Sequence, residues 1–152
     1  MSVASIRTDI YTIVAAVTNI GLVYDRLRYT DEWSKYMELF KTTVSGLDQV
    51  RGWVVSYDGM SQEVAEMSPN AFRAHRFKAR GYLSFDDSAE SEKTAANLAE
   101  AVCNALDDAA TLHGGSYYDA SQAEIEFFEP RMFGSVLCHY IEIGVTVTEF
   151  RV

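Results

Sequence analysis

The chain has 152 residues, with 13 basic and 22 acidic side chains and a formal net charge of −9. This length, with 48% hydrophobic and 23% charged residues, predicts one folded domain covering residues 1–152. The acidic excess argues against a stand-alone nucleic-acid binder and against binding to an anionic membrane surface, because phosphate contacts need clustered lysine and arginine.

The first predicted element is a helix that begins at Ser2 or Ser5 and ends near Gly21. Apolar residues recur along it at the spacing of one helical face: Ile6, Ile10, Ile13 and Val17. Residues 10–24 carry no charge, but this stretch is too short to span a membrane and lacks the features of a signal peptide. Leu22–Tyr24 then predicts a short strand or an extended crossing.

A second helix is predicted to begin at Thr30, which serves as its N-cap, and to end at Gly46. Large apolar residues repeat along it at helical spacing: Trp33, Tyr36, Met37, Phe40 and Val44. An aromatic stripe of this kind is typical of a core or of a subunit contact.

Period-two alternation predicts strands over residues 50–58 and 72–85, joined in antiparallel fashion by a loop over residues 59–70. The second of these strands places apolar residues on one face. Its other face carries a basic row: Arg76, Lys78 and Arg80.

A third helix is predicted from Asp87, which forms a capping-box-like start with Glu90, to about Leu112. Its buried side is rich in alanine, which lets a helix lie close on a sheet. A strand over residues 123–128 and a turn over residues 129–134 follow.

The last strand, residues 135–151, alternates strictly and is rich in β-branched residues. Its apolar side carries Leu137, His139, Ile141, Ile143, Val145 and Val147. Its polar side carries Glu142, Gly144, Thr146 and Thr148. Short connections between consecutive strands favour antiparallel pairing, so the order of elements predicts an α+β fold: a mainly antiparallel sheet with helices packed on one face.

Nothing in the sequence indicates catalysis, a metal site or a cofactor. The three histidines lack metal-ligand spacing, and Cys138 and His139 are adjacent in a strand, so their side chains point to opposite faces. The two cysteines, Cys103 and Cys138, are interpreted as reduced, buried thiols. The expectation is therefore a protein that is not an enzyme.

The aromatic and methionine content favours adhesion instead. Eight Phe, nine Tyr, two Trp and five Met occur in the chain, and such residues are favoured in interface cores. The candidate subunit or partner interface comprises Met60, Met67, Tyr117, Tyr118, Met132 and Phe133. The alternative is that these side chains fold back over the core of the domain itself.

Several segments together resemble tail-terminator, or tail-completion, proteins of long-tailed bacteriophages and prophages. They are Asn19-Ile20-Gly21-Leu22-Val23-Tyr24-Asp25-Arg26, Trp33 with Phe40, Arg51-Gly52-Trp53, His75-Arg76-Phe77, Arg80-Gly81-Tyr82 and Cys138-His139-Tyr140. The resemblance covers nearly the whole chain, and its motifs are structural.

The resemblance implies a subunit of a six-fold ring on the head-proximal end of the tail tube. Such a ring ends tube polymerisation and offers a surface to the head-completion or connector protein, while DNA passes through its lumen. The implied partners are other copies of the chain, the tail tube protein, the connector and the tail sheath, with no membrane. The implied location is the virion, after assembly in the host cytoplasm, and the family has no catalytic residues to carry over.

A ring suggests a use for the acidic excess, since a channel lined by carboxylates repels phosphate. We therefore expect Glu124, Glu126 and Glu142 to face the channel or its rim. Pairing of these glutamates across the sheet with the basic row would contradict this expectation and would explain both charged rows structurally.

Two other functions fit the sequence. A neck or head-tail connector protein would bind the connector without stopping tube growth. A small non-viral ligand-binding α+β domain would be a monomer or dimer with a closed apolar pocket.

Overall fold

The computed structural model of the chain describes residues 3–44, 46–64, 71–112 and 119–151. Within these ranges the chain forms three helices and seven strands. In chain order they are α1 (Val3–Ala15), β1 (Leu22–Tyr24), α2 (Trp33–Glu38), β2 (Lys41–Val44), β3 (Leu47–Val64), β4 (Ala71–Ser84), α3 (Ser91–Asp107), β5 (Asp119–Ala120), β6 (Glu124–Phe133) and β7 (Val136–Arg151). No helix in the described part of the chain is long and apolar enough to cross a bilayer.

The described strands form one sheet in the order β1-β3-β4-β7-β5, with β2 also paired to β3 and β6 also paired to β7. Only β1 runs parallel to its neighbour, and the other described pairings are antiparallel. The predicted α+β fold with a mainly antiparallel sheet is thus confirmed. The three longest strands, β3, β4 and β7, lie side by side at its centre, as their long alternating sequences require.

One face of the sheet, the helical face, is covered by α1 and α3, as predicted. The core on this face contains the buried residues Ile6, Ile10 and Val14 of α1, Leu98, Ala99, Val102 and Leu106 of α3, and Trp53, Phe77, Ala79, Leu83, Ile141 and Ile143 of the strands. Trp53 has no exposed surface and lies directly over Gly81 of the neighbouring strand. Glycine is needed there because a Cβ atom would come within 2.7 Å of the indole ring.

The opposite face, the charged face, bears the side chains of Arg76, Lys78 and Arg80. At one end of this face a second cluster of buried residues contains Phe40, Val50, Val54, Phe133 and Cys138, with Tyr36 and Met37 of α2 packed against it. The prediction that Cys138 and His139 lie on opposite faces is confirmed. Both cysteines are free, and Cys138 is buried as predicted, but Cys103 is only half-buried.

The predicted second helix was too long. It ends at Glu38, and Lys41–Val44 forms β2, which pairs with the start of β3 through a turn containing Gly46 (φ +80°). Residues 42–44 are Thr, Thr and Val, which favour a strand. Thr30 is also not the N-cap, because Glu32 occupies that position.

The predicted loop over residues 59–70 was also wrong in its first part. β3 continues to Val64 and pairs with the start of β4, because a bulge between Tyr57 and Gly59 restores the register. Gly59 has φ +113°, a conformation that glycine adopts without strain. The segments 59–64 and 71–76 are called the arm below.

The observed bounds of the third helix, and of the turn predicted to follow the strand at residues 123–128, differ from the predicted ones. α3 begins at Ser91, and Asp86 rather than Asp87 stabilises its entry by accepting a hydrogen bond from the Ala89 N–H. β6 runs on to Phe133, so most of the predicted turn is strand. Pro130 is tolerated because β6 pairs only with β7 among the described strands, and an edge strand does not need every N–H.

Candidate functional site

Four strands bring opposite charges together on the charged face, in a group called the charged cluster. Lys78 of β4 lies with its Nζ atom 2.7 Å from Glu142 Oε1 of β7, 3.2 Å from Glu126 Oε2 of β6 and 3.6 Å from Asp58 Oδ2 of β3. Gly144 makes room for this arrangement, because a Cβ atom there would collide with the Glu126 carboxylate. The predicted meeting of the basic and acidic rows is thus confirmed around Lys78.

Burial and pairing set the protonation states in the charged cluster. Glu142 is only 5% exposed. Burial opposes ionisation of its carboxyl, but the hydrogen bonds from Lys78 and Tyr140 outweigh burial and lower its pKa. The Tyr140 hydroxyl donates to Glu142 Oε2 at 2.5 Å, and burial together with this carboxylate raises the pKa of Tyr140 to about 12. Glu142 is therefore an ionised, fully engaged acceptor at neutral pH.

This pairing corrects the expected acidic rim. Glu142 is buried, and both Glu142 and Glu126 are ion-paired with Lys78, so neither is an unpaired carboxylate that faces a channel. The reason is the register of the sheet, which sets Lys78 opposite Gly144 and diagonal to Glu142. Glu124 is exposed, and its place in a channel stays a prediction.

The six predicted interface residues have three different outcomes. Met60 and Met132 are exposed, at 41% and 61%. Phe133 is only 5% exposed and packs against Phe40 and Tyr82, so its assignment to an interface was wrong and the alternative of internal packing holds for it. Met67, Tyr117 and Tyr118 lie outside the described residues.

The sheet also assembles polar pairs that sequence reasoning missed. His75 Nε2 lies 3.0 Å from Glu149 Oε1, and Tyr57 Oη lies 3.2 Å from His75 Nδ1. His75 and Glu149 are both buried on the helical face. They are diagonal neighbours on β4 and β7. Their pairing could therefore be predicted only once the register of these two strands, which are far apart in the sequence, was known.

A second missed pair joins α3 to β7. Ser91 Oγ lies 2.8 Å from His139 Nε2 and accepts the N–H of Asp86 at 2.9 Å. The His139 ring stacks on Phe85, with ring centroids 4.4 Å apart. Burial lowers the pKa of His139, against the opposing charge of Glu92, so the ring is neutral and Ser91 donates to it.

This neutral histidine predicts an acid sensitivity. The pKa of His139 is below its ordinary 6.5 in the folded state, so the unfolded chain binds the proton more readily. Stability is therefore lost as the pH falls from 6.5 towards the lowered pKa of the folded state. His139→Gln, which retains an acceptor for Ser91, should flatten the decline in unfolding free energy between neutral and mildly acidic pH. Urea unfolding across this range measures the slope. An unchanged slope would show that protonation of His139 does not contribute.

Two groups of exposed apolar residues lie at opposite ends of the helical face. The first, called the end patch, is Phe85, Met132 and Leu137, which are 40%, 61% and 42% exposed. They lie side by side, because the Phe85 N–H donates to the Leu137 carbonyl and Met132 is opposite Leu137. The second lies on and beside the arm and comprises Tyr57, Met60 and Val64, at 37%, 41% and 64%.

No group of three or more histidine, cysteine, aspartate or glutamate side chains in the described part of the chain is arranged to hold a metal ion. A scan of the chain against protein-family models finds no match, and a search of curated proteins finds none either. Function must therefore be argued from the residues and surfaces of this chain.

Proposed function

We propose that the chain is a structural subunit of a long-tailed bacteriophage or prophage particle, a tail terminator. In this role several copies form a ring on the head-proximal end of the tail tube, end its polymerisation and provide the surface that joins the head. The resemblance in the segments from Asn19 to Tyr140 supports this role, and so does the α+β fold with two helices on one face of the sheet.

The observation that carries the proposal is the pair of exposed apolar surfaces at the two ends of the helical face. A closed ring is built from heterologous contacts, in which each subunit offers two different patches. Isolated exposed apolar residues are common on proteins, but two separate groups of three at opposite ends are what a ring subunit needs.

The electrostatics of the subunit suit a passage for DNA. The net charge of −9 opposes retention of phosphate, and Lys78, which could bind a phosphate, is held by three carboxylates. DNA therefore meets a subunit whose net charge is negative and whose Lys78 is already ion-paired, which favours passage without sticking.

The experiment compares the chain alone and with polymerising tail tube protein from the same virus. Native mass spectrometry should detect a ring, and electron microscopy should find tubes that are shorter than those of tube protein alone and carry a ring at one end. Heat-denatured chain is the matched control for the tube lengths.

Other results would identify another function. Binding to the connector with unchanged tube length would favour a neck protein. A monomer that neither forms rings, nor shortens tubes, nor binds the connector would overturn the proposal and favour a ligand-binding domain.

A further inference from the structure

We propose that neighbouring copies of the chain join through the arm of one copy and the end patch of the next. The inference deepens the proposed ring by naming the two contact surfaces, and it rests on that function for the ring itself. The occupant of each surface is a second copy of this chain.

The arm extends the sheet beyond the main core on the helical face. The bulge at Gly59 puts Met60 opposite His75 and Val64 opposite Ala71, and His75 and Ala71 are both buried on the helical side of β4. Alternation then places Met60 and Val64 on that same side. The exposed apolar side chains of the arm therefore face the direction in which α1 and α3 lie on the body of the domain.

The end patch lies at the other end of the same face. Phe85 stacks on His139, two residues beyond Leu137 on β7, so both belong to the helical side. Val64 is opposite Ala71 at the start of β4, which puts it 14 residues, or roughly 45 Å, from Phe85, and Met60, opposite His75, lies roughly 33 Å from Phe85. One subunit therefore cannot satisfy its own end patch with its own arm.

Charge on the two surfaces is complementary. Arg73 of the arm donates from Nε to Gln62, and no carboxylate of the described residues is ion-paired with it. The chain continues from the end patch into an exposed turn that begins with Asp86 and Asp87, neither of which has an ion-pair partner among the described residues. An apolar contact flanked by Arg73 on one side and by these aspartates on the other fixes which surface meets which.

The arm-to-end-patch contact is compatible with a ring, in which the arm of each copy meets the end patch of the next. An arm-to-arm dimer would bring Arg73 towards Arg73, which the like charges oppose. An open chain of subunits leaves one free surface at each end, and closure into a ring satisfies both. A reciprocal two-fold dimer, in which each arm meets the end patch of the other copy, would also satisfy both surfaces, and a double cysteine variant that stops at dimers in the test below would overturn the ring arrangement.

The test introduces cysteines at the two proposed surfaces and joins them with a flexible bis-maleimide. Val64→Cys and Met132→Cys are made singly and together in a Cys103→Ala background. Cys138 has no exposed surface, and burial raises its pKa to about 11, so it does not compete. We expect the double variant to give a ladder of covalent oligomers, a mixture of the two single variants to stop at dimers, and each single variant to give monomers.

Contrary results are equally clear. Val64→Cys dimers from the single variant would show an arm-to-arm contact and would overturn the inference. A ring by native mass with no ladder would overturn the inference while leaving the proposed function intact. A ladder with unchanged tube length would support the contact and count against the terminator role.

A charge exchange gives a second measurement that does not depend on cysteine reactivity. Arg73→Glu should weaken self-association on the order of tenfold, because it sets like charges against each other. Adding Asp87→Arg should restore association. Equal association of the wild type, the single variant and the double variant would overturn the inference.

Discussion

Replacing Gly81 with alanine is expected to lower the free energy of unfolding by about 2–3 kcal/mol, the cost of forcing extra atoms into a packed core. A Cβ atom at this position would lie 2.7 Å from three atoms of the Trp53 indole ring. The ring has no exposed surface and is held between the sheet and the covering helices, so it has no room to withdraw. The loss should appear in urea unfolding as a lower midpoint with an unchanged slope.

Two variants test the cause of this loss. Ser84→Ala lies on the same strand, and a change of this size outside the crowded contact is expected to alter stability by no more than about 0.5 kcal/mol. In a Trp53→Leu background, Gly81→Ala should cost at least about 1 kcal/mol less than in the wild type, because the colliding ring is gone. An equal cost in both backgrounds would mean that the indole contact is not responsible.

Much of the sheet could be predicted because alternation is a strong local signal. The faces of β4 and the apolar face of β7 from His139 onward follow directly from period two, and the buried side of α3 follows from its helical period. Leu137 breaks the pattern only because it lies at the end of β7, beyond the reach of the covering helices.

The errors arose where a tertiary contact overrides a local pattern. Phe40 fits a helical stripe, but it packs over Gly52, where a Cβ atom would come within 2.3 Å of its ring, and the chain turns there into β2. Similarly, Phe127 alternates as a buried residue would, yet it is 47% exposed, because a bulge before it shifts the register of β6. Neither the glycine contact nor the bulge is visible from the spacing of apolar residues.

The candidate site likewise has features that could be predicted from the sequence and features that could not. The charged rows were readable from β4 and β7 individually, and their meeting around Lys78 needed only antiparallel pairing. The burial of Glu142 was not readable, because it depends on β6 and on Tyr140 covering the same spot. The end patch was likewise hidden, since its three members come from β6, β7 and the residue after β4.

Lys78→Met is expected to lower the free energy of unfolding by about 2–3 kcal/mol at neutral pH, because it leaves a buried carboxylate without its cation. Glu142, which is 5% exposed, would then share the site with Glu126 and Asp58 and keep only the hydrogen bond from Tyr140. The loss should exceed that of Lys35→Met, whose exposed ion pair with Glu32 contributes little.

The pH dependence identifies the buried charge as the cause. In the wild type the pKa of Glu142 is lowered below its ordinary 4.5, so its contribution to stability is present at neutral pH and is lost as the pH falls through that lowered pKa. In Lys78→Met we expect burial to raise the pKa of Glu142 against the remaining effects of Tyr140 and Arg80, so that Glu142 is protonated at a higher pH in the variant than in the wild type. The difference in unfolding free energy between the two proteins should therefore begin to narrow above pH 4.5, as Glu142 of the variant takes up its proton, and should narrow further as the pH falls through the lowered pKa of the wild type.

A second substitution separates loss of the charge from loss of packing. Glu142→Gln in the Lys78→Met background removes the unpaired charge but keeps an acceptor for Tyr140, so it should recover at least about 1 kcal/mol at neutral pH. A loss in Lys78→Met that is independent of pH and unaffected by Glu142→Gln would mean that the aliphatic stem of Lys78 matters more than its charge. The expected recovery would instead establish that Lys78 stabilises the fold by neutralising Glu142 on the charged face, where β3, β4, β6 and β7 converge.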